Sequence, residues 1–376
     1  VERSRGLGDV YKRQGSWNAV SARNAAIYGI KSDGTLWSWG SNGYGSLGDN
    51  TIISRSSPVQ IGTANTWTAV SAMNGPYGGV TGHALMSNNA MWGWGENTYY
   101  GVGDGTVAAR SSPVQIPGTW SAIWPTYGFV RMAKKASDGY TYAWGPTDAS
   151  VFLSGVNNNL PATPTYSWTN VATAPDGTFL GIKSDGTMWV VGNNDYGMLG
   201  TGVANNRVSS LTQLGAANNW SKVSCGGFHT LAIKTDGTLW AWGYNGYGGL
   251  GDNTTVSKSS PIQIGTANTW SAVSAGNWYG VSAAITTAGA LYTWGINEIG
   301  QLGQGSIIHK SSPVQVPGTW SKVACGYRHV AGIKSDGTMW TWGYNSFGQL
   351  GHNTANTVPR SSPTQVGAAT DWTQVT

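Results

Sequence analysis

Two hexapeptides, GYGSLG at 43–48 and GYGGLG at 246–251, satisfy the G-x-G-x-x-G pattern that cradles a dinucleotide pyrophosphate. That chemistry needs a strand before the glycines and a helix N-terminus after them. Neither segment leads into a helical apolar period, so the glycines are expected to turn a loop and no cofactor is implied. Asp-Asn-Thr at 49–51 and 252–254 offers carboxylates to a cation. One or two per loop fall short of the roughly 6–8 oxygens that calcium takes, and loop-capping hydrogen bonds are the expected use. His229 and His329 recur in matching phrases and are expected to serve the fold. His83, His309 and His352 share no spacing that would build a metal site. No Ser/His/Asp or Cys/His set assembles and most acids fall in turns, which argues against an enzyme.

Cations are placed more regularly. A basic residue directly precedes a Ser-Ser-Pro step at Arg55, Arg110, Lys258, Lys310 and Arg360, and Arg207 lies near a sixth position. Two readings stand side by side. Such a rim contacts a polyanion, or it is a solvated charge that keeps an edge strand from pairing with other molecules. The net charge is only +5, with part of it in the first residues, which favours the second reading.

The elements that position these residues come from repetition. IKSDGTLWSWGSNGYGSLGDNT (30–51), IKTDGTLWAWGYNGYGGLGDNT (233–254) and IKSDGTMWTWGYNSFGQLGHNT (333–354) are the best-kept of seven copies. The residue before the closing glycine is Trp39, Trp94, Trp144, Val191, Trp242, Trp294 and Trp342, at spacings of 55, 50, 47, 51, 52 and 48. A period near fifty marks a repeat architecture. Each copy opens on Trp-[Ser/Thr]-x-Val or a close variant, passes through small residues to an apolar strand ending Ile-Lys, and turns at Asp-Gly into the Trp strand. A glycine-rich loop and Ser-Ser-Pro-Val-Gln-Ile follow. Asp-Gly between apolar strands predicts a tight hairpin with positive φ at its central residues. The fold class is therefore all-β: a seven-bladed β-propeller with four short antiparallel strands per blade. Nineteen of the 21 Trp fall in repeat columns and are expected to wedge successive sheets together.

At this point the residues resemble a known family. HTLAIKTDGTLWAWGYNGYGGLGDNT (229–254), with VSCGGF upstream, is similar to the repeat of the regulator-of-chromosome-condensation family, and the resemblance covers about 17–376. It implies a seven-bladed propeller and a microbial or viral member. It is weak for function, because the family spans exchange factors for small GTPases, a plant ultraviolet receptor and a secreted bacterial inhibitor. It implies protein binding on a rigid disc. The alternatives are a guanine-nucleotide exchange factor-like regulator and a glycan-binding lectin.

Residues that break the repeat carry the binding expectation. The loop after each opening strand varies most: Arg23-Asn24, Tyr77, Tyr127, Phe228, Trp278-Tyr279 and Tyr327-Arg328. On a propeller these converge on one face near the axis, where aromatics and Arg form interaction hot spots. The third repeat departs further, with Arg131, Lys134 and Lys135 near its second strand and no glycine-rich loop.

The chain ends and composition complete the reading. Residues 1–14, VERSRGLGDVYKRQ, match no repeat column and resemble translated adapter read-through of a metagenomic frame, so they are expected to be a non-native tail. Residues 15–376 are expected to form one propeller with a partial eighth opening strand at Trp372, either a latch or, by preference, the start of a truncated repeat. Cys225 and Cys325 stand two repeats apart, too far to bridge, and are expected to be small core thiols. Only 10% of residues are charged, against about 25% in an average soluble protein. That suggests an extracellular, cell-surface or virion setting. The expected partner is a protein or glycan, met by a monomer, with nucleic acid disfavoured. No membrane insertion is expected, since no apolar run is long enough to span.

Overall fold

The repeated phrase folds into a hairpin in which nearly every residue has an assigned bond. In the computed structural model Gly34 N donates to Lys31 O at 2.9 Å and Gly34 has φ +79°. Asp33 is not in the positive-φ region, so the turn is not the doubly primed form. It is a turn closed by one left-handed glycine, and Asp33 acts through its side chain. Asp33 Oδ1 accepts from Thr35 N at 3.0 Å and from Thr35 Oγ1 at 2.6 Å. Thr35 Oγ1 in turn accepts from Trp37 Nε1 at 2.7 Å, and Lys31 Nζ lies 3.7 Å from the Trp37 ring centroid. The same Lys-on-Trp contact recurs at Lys183/Trp189, Lys234/Trp240 and Lys334/Trp340.

The structure describes residues 17–23, 26–74, 79–98, 100–124, 131–137, 139, 141–144, 168–174, 178–276, 280–346, 350–352, 358–372 and 375. Blade 1 is β1 (Trp17–Arg23), β2 (Ala26–Lys31), β3 (Leu36–Gly40) and β4 (Arg55–Gln60). Blade 2 is β5 (Trp67–Asn74), β6 (Val80–Met86), β7 (Met91–Gly95) and β8 (Arg110–Ile116). Blade 3 shows three strands among the described residues, β9 (Trp120–Trp124), β10 (Arg131–Lys135) and β11 (Thr141–Trp144). Blade 4 is β12 (Trp168–Thr173), β13 (Phe179–Lys183), β14 (Met188–Gly192) and β15 (Val208–Gln213). Blade 5 is β16 (Trp220–Cys225), β17 (His229–Lys234), β18 (Leu239–Gly243) and β19 (Lys258–Gln263). Blades 6 and 7 share the long β23 (Lys310–Cys325), which follows β20 (Trp270–Ala275), β21 (Val281–Thr286) and β22 (Ala290–Gly295). Blade 7 ends with β24 (His329–Lys334), β25 (Met339–Gly343) and β26 (Arg360–Gln365). Each sheet is an antiparallel meander, so the chain is an all-β propeller of seven units.

Opening strands pack on one another from blade to blade, which places them innermost. The Ser of Val-Ser-Ala ties them: Ser21 Oγ accepts from Ala72 N at 2.9 Å, Ser224 Oγ from Ala275 N at 3.0 Å, and Ser274 Oγ from Cys325 N at 2.9 Å. The second tie is the central tryptophan. Trp94 Nε1 donates to Ser46 O at 3.0 Å in the preceding blade's loop. Trp144, Trp242, Trp294 and Trp342 make the equivalent bond to Gly101, Met198, Gly249 and Gln301. Gly48 faces the same indole: a Cβ there would lie 2.9 Å from Trp94 Cδ1, and its φ is +67°. The loop glycine is thus required by the neighbouring blade. Hydrophobic clusters join blades 1 and 2, 2 and 3, 4 and 5, 5 and 6, and 6 and 7 among the described residues.

At the junction of blades 3 and 4 both halves of this tie are altered. Repeat 3 has no glycine-rich loop, and repeat 4 carries Val191 in place of the tryptophan that would dock on it. Trp39 also departs: it is partly exposed, whereas Trp94, Trp242, Trp294 and Trp342 are fully buried.

Candidate binding face

In an antiparallel meander, the first-to-second and third-to-fourth strand connections open on one side, so the variable loops and the glycine-rich loops share a face. Six glycine-rich loops are organised by one buried asparagine each: Asn42, Asn97, Asn194, Asn245, Asn297 and Asn345. Asn42 Nδ2 donates to the carbonyls of Thr51 and Ile53, both at 3.1 Å, and its Oδ1 accepts from Leu47 N at 2.8 Å. One side chain thereby satisfies three backbone groups in a loop with no ladder of its own. The column is visible in the sequence as the Asn that stands two residues after the closing glycine in each of these six repeats, but its role depends on backbone groups up to eleven residues away. With the Ile53 carbonyl turned inward, the loop crest faces outward. Ile52, Ile53, Val107, Val203, Val256, Ile307, Ile308 and Val358 are all more than half exposed.

The basic column is not a free rim. Arg55 Nε and Nη2 both donate to Asp49 Oδ2 at 2.8 Å, and Arg110 grips Asp104 Oδ2 at 2.6 Å through both nitrogens. Lys258 lies 3.9 Å from Asp252. Asp49 Oδ1 meanwhile accepts from Thr51 N, Thr51 Oγ1 and Asn42 Nδ2. Burial lifts the Asp49 carboxyl, but the hydrogen bonds from Thr51, Arg55 and Asn42 outweigh it and hold it below the usual aspartate range. The expectation of loop-capping hydrogen bonds in the Asp-Asn-Thr segments describes these contacts. Solvated charge does not describe Arg55 or Arg110, which close a loop. Lys310 and Arg360 lack this partner: their column positions hold Gln304 and His352.

Of the variable-loop residues, Asn24, Tyr77, Tyr127, Trp278 and Tyr279 lie outside the described residues, and Arg23 closes β1. Phe228 belongs to a cluster that sequence reasoning did not foresee. Tyr196 packs edge-on against Phe228 at 5.5 Å and against Tyr244 at 5.0 Å. Tyr244 reaches Tyr247 at 6.4 Å, and Tyr247 reaches the exposed His309 at 5.3 Å. The track runs from blade 4 to blade 6. Tyr196 is 45% exposed and held at φ +60°, a left-handed conformation that strains a bulky residue. Tyr196 and Tyr247 fill repeat columns, so a search confined to off-register residues misses them. On blade 7 Tyr327 is exposed, with the Arg328 guanidinium 5.6 Å from its ring.

The regulator of chromosome condensation (RCC1) repeat matches residues 33–73, 185–233, 236–282, 288–333 and 336–376, more than half of the chain. The chain belongs to that family. The ultraviolet-B receptor UVR8 of Arabidopsis thaliana is 26% identical over 326 residues, spanning 84% of this chain and 74% of the receptor. Among solved structures, human WBSCR16 superposes with a TM-score of 0.70 at 19% identity, covering 88% of this chain and 93% of that one. Prp20p of Saccharomyces cerevisiae, described with its binding properties to Gsp1p and histones, gives a TM-score of 0.53 at 17% identity over 93% of this chain and 76% of that one. Both structures speak for the propeller fold alone.

Within this RCC1-repeat frame the histidines acquire definite roles. His229 Nε2 lies 2.9 Å from Ser282 Oγ across the blade 5/6 junction. The single Ser282 hydroxyl proton goes to Gly249 O at 2.6 Å, so His229 is the donor to Ser282. Burial holds His229 down to about 4, and both residues are inaccessible. The pair is a Ser/His contact that sequence spacing did not reveal, and it serves as a tie between blades. Cys225 and Cys325 are buried thiols outside any disulfide, and burial pushes the Cys325 thiol up to about 12. A third buried polar group, Arg131, stands in the column of Thr230. It donates to Thr81 Oγ1 at 3.0 Å near buried Glu96, so this off-register cation serves the blade 2/3 interface.

Proposed function

We propose that this chain is a non-catalytic binding or structural module that offers the loop face of a rigid propeller to a protein or glycan partner. The observation that carries the reading is the partly exposed aromatic track Tyr196–Phe228–Tyr244–Tyr247. Rings already packed on one another lose little further freedom when a partner covers them, and aromatic anchors dominate hot spots. Prp20p, whose published description concerns Gsp1p and histones, is a precedent for protein capture on this fold. The low charge content supports placing the chain on a virion, a cell surface or in an extracellular setting, as a microbial or viral member of the family. It weighs against the alternative, an exchange factor-like regulator of a small GTPase.

The test uses a displayed peptide library and a glycan array, each probed with the full chain. Binders found for the wild type should be lost by the folded double variant Tyr196→Ser/Phe228→Ala. Undiminished binding by that variant removes this face. Signal on the glycan array alone turns the reading to a lectin, and accelerated nucleotide release from small GTPases would favour the exchange role.

A further inference from the structure

The rims of blades 6 and 7 differ from those of blades 1 and 2 in having no internal carboxylate for their cations. In blade 1 Asp49 Oδ2 receives two donors from Arg55, and Asp104 receives two from Arg110 in blade 2. The same column holds Gln304 and His352 in blades 6 and 7. Among the described residues neither Lys310 nor Arg360 forms an ion pair. Arg360 Nε is buried with no acceptor among the described residues, an expensive state for a charged donor. His352 does not compensate it. Burial, and then the positive charge of Arg360, hold the imidazole below its ordinary pKa, so it stays neutral. Its Nε2 is engaged with Thr341 Oγ1 at 3.1 Å. The two rims adjoin: Gly305 N donates to Ser361 O at 2.7 Å, which lays the blade 6 loop beside Arg360. That loop exposes Ile307 and Ile308, and Val358 is exposed just before Arg360.

We propose that the rim of blades 6 and 7 docks a carboxylate-bearing peptide segment of a protein partner. A partner's Asp or Glu pairs from outside with the terminal guanidinium nitrogens of Arg360, which are not among its buried unpaired atoms, Lys310 meets a second carboxylate, and Ile307, Ile308 and Val358 receive the segment's aliphatic side chains. Blades 1 and 2 display this interaction from within: a carboxylate held by two guanidinium donors, the strong geometry for such a pair. A short segment fits better than an extended anionic surface. Elsewhere on the face, among the described residues, such a surface meets Asp49, Asp104 and Asp252.

The experiment is an anisotropy titration of the full chain with a fluorescein-labelled peptide of Asp-Ile-Gly repeats, beside its Asn-Ile-Gly counterpart. The acidic peptide should bind about tenfold tighter or more, the difference expected for a charge-assisted contact. Arg360→Gln should remove that preference. His352→Asp, which supplies the carboxylate internally, should remove it too while raising the melting temperature. Arg55→Gln should leave it intact. Equal binding of the two peptides, no binding of either, or undiminished binding by His352→Asp overturns the proposal. So does sedimentation with phosphatidylserine vesicles that the acidic peptide does not compete away, which would assign the rim to lipid. This inference deepens the binding reading and can fail alone: Tyr196→Ser/Phe228→Ala should not alter the peptide titration, and loss of the peptide result leaves the aromatic track untouched.

Discussion

Blades 1 and 7 fold their rim loops around equivalent asparagines, yet the two loops are secured by different means. In blade 1 Asn42 holds the backbone, Asp49 and Arg55 close the loop with an ion pair, and Trp94 of the next blade pins it from the side. In blade 7 Asn345 reaches Val358 O at a longer 3.4 Å, His352 stands where the carboxylate would be, and Arg360 Nε has no acceptor among the described residues. Trp39, the residue equivalent to Trp94, is partly exposed and donates to no loop carbonyl among the described residues. The backbone frame is common property of the repeats, while the charge chemistry at the rim is set blade by blade. A rim without its internal partner has capacity for an external one.

The largest expected effect separates the pins. Trp94→Ala removes a fully buried indole and should cost about 3–5 kcal/mol in urea unfolding, and Trp39→Ala should cost clearly less. Equal losses would break the comparison. Next come the loop organisers. Asn42→Ala leaves Leu47 N and the Thr51 and Ile53 carbonyls without their partner, at about 1–3 kcal/mol per group that stays buried and unpaired. Asn345→Ala should cost less, and hydrogen exchange at Leu47 and Leu350 reads the two loops separately.

Acid should release the loops in order. His352 has its folded pKa held below 6.5, so from pH 6.5 downward the unfolded chain takes up the proton first and stability falls. His83, held at about 3, and His229, held at about 4, add to the same loss through the whole molecule. Asp49 is a carboxyl held below 3.8. Its contribution is intact above that value and disappears only as pH drops through the folded pKa. Exchange at Leu350 should therefore accelerate at a pH where Leu47 is still protected, and simultaneous release would contradict the assignment. The smallest effect belongs to the ion pair itself. Asp49→Asn breaks a bridge whose Arg55 side is 35% exposed, so melting should shift by the equivalent of about 1 kcal/mol or less.

Much of the fold was legible from residue order. The hairpin phrase, the seven units, the strand order within a blade and the burial of most opening and strand-closing tryptophans follow from patterns a few residues long, whereas the column of Trp37, Trp92, Trp189, Trp240 and Trp340 is only half-buried. The candidate site was less so. Phe228, Tyr327 and Arg328 were found because they break register, but Tyr196 and Tyr247 sit in register and earn their interest only from exposure and mutual packing. The basic column was visible as a column. That Arg55 and Arg110 are consumed by Asp49 and Asp104 was not, because the pairing depends on a loop folding back across its asparagine. The loss of Trp at Val191 and of the glycine-rich loop in repeat 3 were both in plain view, and only the Trp-to-loop bond in other blades shows that they fall on the two halves of one contact.

What the sequence determined by itself is the local unit. Asp33 to Thr35, Thr35 to Trp37 and Lys31 over Trp37 are contacts between near neighbours, and chain connectivity alone brings such residues together. The tertiary structure decided which groups meet across blades: Trp94 with Ser46, 48 residues away, and Ser21 with Ala72, 51 residues away. Those partners have no local signature, since a carbonyl or an amide exists at every position and only the angle between two stacked sheets selects one. The same selection leaves Arg360 Nε without an acceptor among the described residues, while the same atom of Arg55 in blade 1 donates to Asp49.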